Sequence, residues 1–308
     1  MNRKSLLIRI LSASLVVVAC GFIYHLLAED WTKFVRSVSE VDAVMFSVSV
    51  VLGLLANLVA AYFYVFLLKG HHAAVRWGPL FKVFLLSQVV RYVPGKVWSY
   101  LYQISLLPAE VAKTTIILTN LEMMLISMSV AGGAGAVALL WPSFITVFVV
   151  VLILSVAISL AYRLGLIDWV LNKLLRLLAH FGVYGLARRP YNLAEMVVVV
   201  ASWIMLVFVS LVVAMHAIWQ LPVNESIVYA ACLSLSWILS ALVFIVPVGI
   251  GVRETGFVAL SALVIGSLDG GQLAATAIII RFWQLIVDLL SGIGGMLIPS
   301  NSGSDEGL

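Results

Sequence analysis

Long runs of apolar residues, without the alternation of a half-buried strand, dominate this sequence. A helix needs about 20 apolar residues to cross a bilayer, whereas a barrel strand needs only a short alternating segment. Hydrophobic residues make up 63% of the 308 residues and charged residues 10%, against roughly 45–50% and about 25% in soluble domains. A water-soluble fold is therefore excluded, and the chain is predicted to be an all-α integral membrane protein.

Six apolar runs are long enough for full spans. They cover residues 6–27, 41–68, 114–140, 143–162, 193–219 and 271–298. The first run follows two basic residues and also fits a signal peptide, or a lipoprotein signal ending at Cys20. Because it stays apolar to Leu27, we interpret it as an uncleaved helix. We expect one membrane domain over 1–299 and a disordered polar tail over 300–308.

The first of two interrupted stretches centres on Pro94 and Gly95. Its arms, 80–93 and 96–107, are too short to cross, because 14 residues at 1.5 Å each reach only about 21 Å of a roughly 30 Å core. They are predicted to form a re-entrant pair of half-helices.

The second interruption contains Pro247, Gly249 and Gly251. Proline removes a backbone donor and glycine permits unusual dihedral angles, so 227–246 and 257–268 are predicted to form a second broken element. Its first arm alone is long enough to span, and whether the element is re-entrant or spans twice stays open.

Lysines and arginines in short loops assign the two faces, because positive residues are retained in the cytoplasm. With the amino terminus inside, the outer face receives Lys33 and Arg36. The inner face receives Arg3, Lys4, Arg9, Lys69, Arg76, Lys82, Lys113, Arg163, Lys173, Arg176, Arg188 and Arg189. This bias predicts that both termini are cytoplasmic. Residues 166–181 carry polar side chains about every four positions, which indicates an amphipathic helix at the inner interface.

The order of these elements predicts an inverted repeat. Residues 41–140 give a span going inward, a broken element open to the inside and a span going outward, and 193–298 give the same series upside down. Paired broken helices in inverted repeats are typical of transporters with a substrate site near the midplane. We therefore expect both broken tips to approach one polar cavity, although chance kinks would produce the same pattern.

Seven charged residues lie within the apolar segments. They are Arg91, Lys96, Glu122, Arg253, Glu254, Arg281 and Asp288. Each charge at a helix centre costs roughly 2.5–3.5 kcal/mol on insertion scales, so we expect them to be paired, hydrated or functional. Four positive charges against three negative ones leave a surplus that suits an anion.

Arg91, Lys96 and Arg253 are interpreted as contacts for an anionic substrate. Half-helix amino termini near Lys96 and Arg253 would add their unsatisfied N–H groups to this attraction. The alternative is that these residues form salt bridges that hold the broken helices together.

Arg281 is expected to pair with Glu254, because the second broken element directly precedes the last span. Arg281, Gln284 and Asp288 share one face of that span at i, i+3 and i+7. Arg281 and Glu254 are also interpreted as substrate contacts. For Glu254 and Asp288, a structural salt bridge is an equal alternative. Glu122, Gln284 and Asp288 are interpreted as supporting polar groups. The acids Glu122, Glu254 and Asp288 are candidates for carrying protons, and a passive facilitator is equally compatible.

Neither a metal nor a cofactor is expected. His71 and His72 are interpreted as solvated loop residues, and no nucleophile with an adjacent base or nucleotide-binding loop can be read. The glycine clusters at 132–135 and 292–295 are interpreted as sites of close helix contact rather than of phosphate binding. Nucleic acid is not an expected partner.

Two motifs resemble a known family. The segments Arg91-Tyr-Val-Pro-Gly-Lys-Val-Trp98 and Pro247-Val-Gly-Ile-Gly-Val-Arg-Glu254 are similar to the paired signature of the lysylphosphatidylglycerol synthase transmembrane-region family, also described as flippase-like. The resemblance implies lipid translocation in a bacterial inner membrane. Fused members of that family also carry an aminoacyl-transferase domain, which is not expected here because the chain ends eight residues after Ser300.

The predicted function is transbilayer movement of a lipid with an anionic or glycosylated headgroup, such as an anionic phospholipid, a polyprenyl phosphate or a glycosylated lipid. Stand-alone relatives in the resembled family are often linked with glycosyltransferases, which makes such an enzyme a possible partner. Two alternatives stay open: a membrane enzyme or enzyme partner that acts on lipid-linked sugars, and a membrane scaffold for glycosyltransferases.

Overall fold

The computed structural model describes residues 38–71, 77–90, 98–107, 111–167, 192–242 and 251–299, together with residues 35, 169, 170 and 173. Within these ranges the protein contains helices and no strands. The helices are α1 (Ala43–Gly70), α2 (Trp77–Val90), α3 (Trp98–Leu106), α4 (Lys113–Leu140), α5 (Phe144–Arg163), α6 (Leu193–Trp219), α7 (Val223–Leu242), α8 (Val252–Val264) and α9 (Gly270–Leu297).

Six of these helices, α1, α4, α5, α6, α7 and α9, are long and apolar enough to cross a membrane, and they identify the chain as an integral membrane protein. Five of them confirm predicted spans. The remaining predicted span, 6–27, lies outside the described residues, as do the tail 300–308 and most of the interfacial helix predicted at 166–181. The sixth helix is α7, the first arm of the second interrupted stretch.

Three helices are too short to cross. At 1.5 Å per residue the 14 residues of α2 extend about 21 Å, and α8 with 13 and α3 with 9 residues are shorter still. Helices α2 and α3 flank residues 91–97, and α7 and α8 flank residues 243–250, both outside the described ranges. Short helices therefore lie on both sides of the first predicted break and on the carboxyl-terminal side of the second.

Polar caps define where the long helices begin. The side chain of Asp42 accepts hydrogen bonds from the first turn of α1, and that of Asn192 does the same for α6. At α9, Asp269 accepts from the backbone N–H of Gln272 at 2.8 Å, while the Gln272 side chain accepts from the backbone N–H of Asp269 at 2.9 Å. These bonds satisfy backbone donors that a helix start leaves without partners.

Helices α1 and α6 form the most extensive helix pair in the described part of the chain. The backbone N–H of Asp42, just before α1, donates to Ala217 O near the end of α6 at 2.9 Å. Toward the other end of α1, the Tyr62 hydroxyl donates to Glu195 Oε1, in the first turn of α6, at 2.5 Å. The two helices are therefore antiparallel.

Glycines allow the broken elements to approach the long helices closely. A Cβ added at Gly292 of α9 would clash with the side chain of Val89 in α2, and one at Gly295 would lie 3.0 Å from Leu85. A Cβ at Gly132 of α4 would lie 2.7 Å from Ile238 of α7. The prediction that both glycine clusters mark close helix contacts is confirmed.

We predict that Gly292→Leu lowers the free energy of unfolding by about 1–3 kcal/mol, because the new side chain overpacks the contact between α2 and α9. The matched control is Gly294→Leu in the same helix, where an added Cβ would meet nothing within 4 Å. Thermal unfolding of the purified variants in detergent measures the difference. Equal losses in the two variants would contradict the close contact.

Candidate functional site

A polar cavity of about 440 Å³ lies between the two broken elements and the long helices. Residues near the middle of long helices line it, such as Asn57 of α1 and Arg281 of α9. So do residues next to the breaks: Gln88 and Ser99 beside the first, and Arg253 beside the second. The two predicted tips lie outside the described residues, and the described arms of both broken elements contribute residues to this cavity.

The predicted pairing of Arg281 with Glu254 is confirmed. Arg281 Nε lies 3.3 Å from Glu254 Oε1, and the two side chains are 18% and 15% exposed. The other carboxylate oxygen, Oε2, accepts a 2.7 Å hydrogen bond from the backbone N–H of Gly251. Gly251 has a φ of +84°, which glycine adopts without strain. Glu254 therefore ties the beginning of α8 to the middle of α9.

Arg253 is held in place at the first turn of α8. It is 6% exposed, its Nη1 donates to Gln284 Oε1 of α9, and its guanidinium carbon lies 4.6 Å from the ring centroid of Trp237 in α7. The negative face of an aromatic ring attracts a stacked cation, and this attraction offsets part of the hydration that the cation loses on burial. All three residues line the cavity, so Arg253 brings a positive charge to its wall.

Three hydrogen-bond donors on cavity-lining residues lack an acceptor. Trp237 Nε1, Arg281 Nη2 and Trp283 Nε1 are buried and have no hydrogen-bond partner in the described structure. Buried donors are normally satisfied, so each such group calls for an explanation. A ligand rich in acceptor oxygens would provide it.

Asp288 is a fully buried carboxylate on the cavity side of α9. The side-chain amide of Asn57 in α1 donates to Asp288 Oδ1 at 3.3 Å and to Ser291 Oγ at 3.0 Å. Arg281, Gln284 and Asp288 all line the cavity, which confirms that they share one helix face.

Glu122 lies elsewhere. Its side chain pairs with His71 Nε2 at 3.1 Å, with both side chains fully buried, and Tyr162 Oη lies 3.4 Å from Glu122 Oε2. Neither Glu122 nor Glu254 is among the described residues that line the cavity. The interpretation of His71 as a solvated loop residue is wrong, because α1 runs to Gly70 and brings His71 against α4.

Several predicted site residues fall outside the described ranges. These are Arg91, Pro94, Gly95, Lys96, Pro247 and Gly249. The described ends of α2, α3, α7 and α8 bound the two breaks in which they lie. Gln88 and Ser99 near the first break, and Ala241 and Arg253 near the second, line the cavity.

An amide-centred network next to the cavity was not anticipated. Gln103 Oε1 accepts from the Tyr64 hydroxyl at 3.1 Å and from Asn120 Nδ2 at 2.7 Å, and Gln103 Nε2 donates to Ser87 Oγ at 2.9 Å. The bonds connect α1, α2, α3 and α4. Isolated amides inside apolar helices are the sequence signal that would have indicated it, because a buried amide requires partners.

The cavity wall carries charged groups, hydrogen-bond donors and hydrogen-bond acceptors. No group of three or more His, Cys, Asp or Glu side chains that could hold a metal ion occurs among the described residues. No family model, curated protein or solved structure matches the chain. The chemistry of the site is therefore argued from its own charges, hydrogen-bond donors and acceptors.

We predict that Arg281→Leu lowers the free energy of unfolding by roughly 3 kcal/mol, because Glu254 keeps a buried charge without its partner. The double variant Arg281→Leu with Glu254→Leu should recover much of this loss, as coupled residues do in a double-mutant cycle. Thermal stability of the single and double variants measures the coupling. A double variant whose loss equals the sum of the single losses would contradict the pairing.

Proposed function

We propose that the protein moves a lipid with an anionic headgroup across the bilayer, with the headgroup in the polar cavity and the acyl or isoprenoid tails in the surrounding lipid. The observation that carries this proposal is the set of unpartnered donors around two arginines. Phosphate oxygens accept several hydrogen bonds at once and bear negative charge, so they match Trp237 Nε1, Trp283 Nε1 and Arg281 Nη2.

The charge count supports an anion. Because Glu122 pairs with His71 away from the cavity, the acids near the site are Glu254 and Asp288. We propose that Arg91 and Lys96 at the first break join Arg253 and Arg281, which would give four positive charges against two negative ones. An anionic headgroup would then offset a surplus of positive charge in a low-dielectric site.

An inverted repeat would provide the route. Two helix contacts support it: α2 of the first half packs against α9 of the second, and α7 of the second half packs against α4 of the first. The two-fold axis of an inverted repeat would map the contact between α2 and α9 onto the contact between α7 and α4. It would also make α1 and α6 antiparallel. Alternate opening of the two broken elements would expose the cavity first to one face and then to the other.

The resemblance of the two break motifs to the flippase-like family favours the same activity. We propose a bacterial cytoplasmic membrane as the location and a lipid-synthesis enzyme, such as a glycosyltransferase, as the partner that supplies the lipid. The segments 91–98 and 247–254 carry that resemblance. Ser99, directly after the first segment, and Arg253, within the second, line the cavity.

We predict that Arg253→Gln and Lys96→Gln each slow the movement of phosphatidylglycerol in proteoliposomes tenfold or more, because each removes a charge-assisted contact with the phosphate. The control is Lys113→Gln, which neutralises an exposed lysine at the start of α4. Dithionite quenching of a fluorescent acyl-chain label measures lipid sidedness, and folded yield is measured alongside.

Two results would overturn the proposal. If purified wild-type protein accelerated the movement of no anionic lipid, translocation would be excluded. If mass spectrometry revealed a changed lipid mass rather than changed sidedness, the protein would be an enzyme. Equal losses of folded yield and lipid movement in Arg253→Gln would indicate that the arginine stabilises the fold only.

A further inference from the structure

The orientation of two cavity amides is fixed by their protein partners. Asn57 Nδ2 donates to the carboxylate of Asp288 and to Ser291 Oγ, and Ser291 itself donates to Val287 O. Asn120 Nδ2 donates to Ile116 O at 2.8 Å and to Gln103 Oε1 at 2.7 Å. A carboxylate and a backbone carbonyl can only accept, so the amide nitrogens must face them.

Both N–H groups of each amide are thereby used, and the carbonyl oxygens are left for a ligand. Two serines on the cavity wall are in the same position. Ser127 Oγ donates to Met124 O at 2.9 Å and Ser210 Oγ donates to Val207 O at 2.7 Å. Once its hydrogen is used, a serine oxygen can only accept further hydrogen bonds.

Asn57, Asn120, Ser127 and Ser210 all line the cavity, and we name them the acceptor wall. They come from α1, α4 and α6. The unpartnered donors Trp237, Arg281 and Trp283 come from α7 and α9. These three unpartnered donors and the four acceptors of the wall therefore come from different helices.

A fully ionised phosphate satisfies only the donors, because its oxygens would be repelled by carbonyl and hydroxyl oxygens that can only accept. A ligand that fits both groups carries hydrogen-bond donors of its own beyond the anion. The cavity volume of about 440 Å³ lies within the range of pockets that enclose small ligands, roughly 300–1,000 Å³. It leaves room for a second chemical group.

We infer that the translocated headgroup joins its anionic group to a neutral hydroxylated one, a sugar or polyol, whose hydroxyls donate to the acceptor wall. This inference rests on the proposed lipid translocation. The four acceptors of the wall are neutral and spread over three helices, so they match several separate hydroxyls. An ammonium group would place a second charge in a desolvated site, which is costly, and the cavity-side carboxylate of Asp288 is fully buried and already accepts from Asn57.

The experiment compares three lipids with the same fluorescent acyl chain in proteoliposomes that contain the full chain. Phosphatidylinositol carries a polyol on its phosphate, phosphatidic acid carries the phosphate alone, and phosphatidylethanolamine carries an amine. We expect phosphatidylinositol to move about fivefold faster than phosphatidic acid, corresponding to about one net hydrogen bond. Phosphatidylethanolamine should be the slowest.

A matched pair of serine variants on α4 tests the wall itself. Ser127→Ala should lower the ratio of phosphatidylinositol to phosphatidic acid rates about threefold, as loss of part of a hydrogen bond does. Ser129→Ala is the control: it removes a similar 2.8 Å bond to Leu125 O from an exposed position and should leave the ratio unchanged. Both changes are small enough to retain the helix.

Equal rates for phosphatidylinositol and phosphatidic acid, or an equal ratio in the two serine variants, would overturn the hydroxyl inference and leave anionic-lipid translocation standing. Faster movement of phosphatidylethanolamine would replace the hydroxyl with an amine and also overturn it. No accelerated movement of any of the three lipids would reject the proposed function and, with it, this inference.

Discussion

The ion pair between Arg281 and Glu254 is the interaction on which the site depends. One carboxylate oxygen of Glu254 holds Arg281 and the other holds the first backbone N–H of the turn into α8. Two charges taken out of water repay their desolvation only when geometry and additional hydrogen bonds are good. Glu254 has such an additional bond from Gly251, whereas Nη2 of Arg281 has no partner. The pair therefore holds a strongly polar helix start against the middle of an apolar span and leaves one donor for a ligand.

The remaining polar groups follow from the same need to satisfy buried charge. Arg253 stacks on Trp237 and donates to Gln284, and Asn57 donates to Asp288. These bonds satisfy some of the donors and acceptors around the cavity and leave others without a protein partner. They leave donors on α7 and α9, and acceptors on α1, α4 and α6, and this imbalance defines the ligand that we propose.

The sequence predicts five of the long helices and the Arg281–Glu254 pair, and the described helices end on either side of both predicted breaks. Apolar length, proline with glycine, and charge neutralisation carry these predictions because they act locally or between adjacent elements. It does not predict the burial of His71 against Glu122, since that contact requires the packing of α1 on α4. The fixed orientation of Asn57 and Asn120 is also beyond sequence reasoning, because it depends on atoms that face each amide in three dimensions. The sequence does not decide whether α7 crosses the membrane, since length alone does not locate the end of a helix before Pro247.

The most direct test of the account is whether water reaches the cavity from both faces of the membrane in turn. The Ser127→Cys variant, made in a Cys20→Ser, Cys232→Ala background, is treated with a membrane-impermeant maleimide added to one face or the other of sealed vesicles. The account predicts that the Ser127→Cys variant reacts from each face. The Ser129→Cys variant should not react, because this position of α4 is exposed away from the cavity and would face lipid, which the maleimide does not enter. Failure of the Ser127 cysteine to react from either face, or its reaction from one face only, would contradict alternating access to this site.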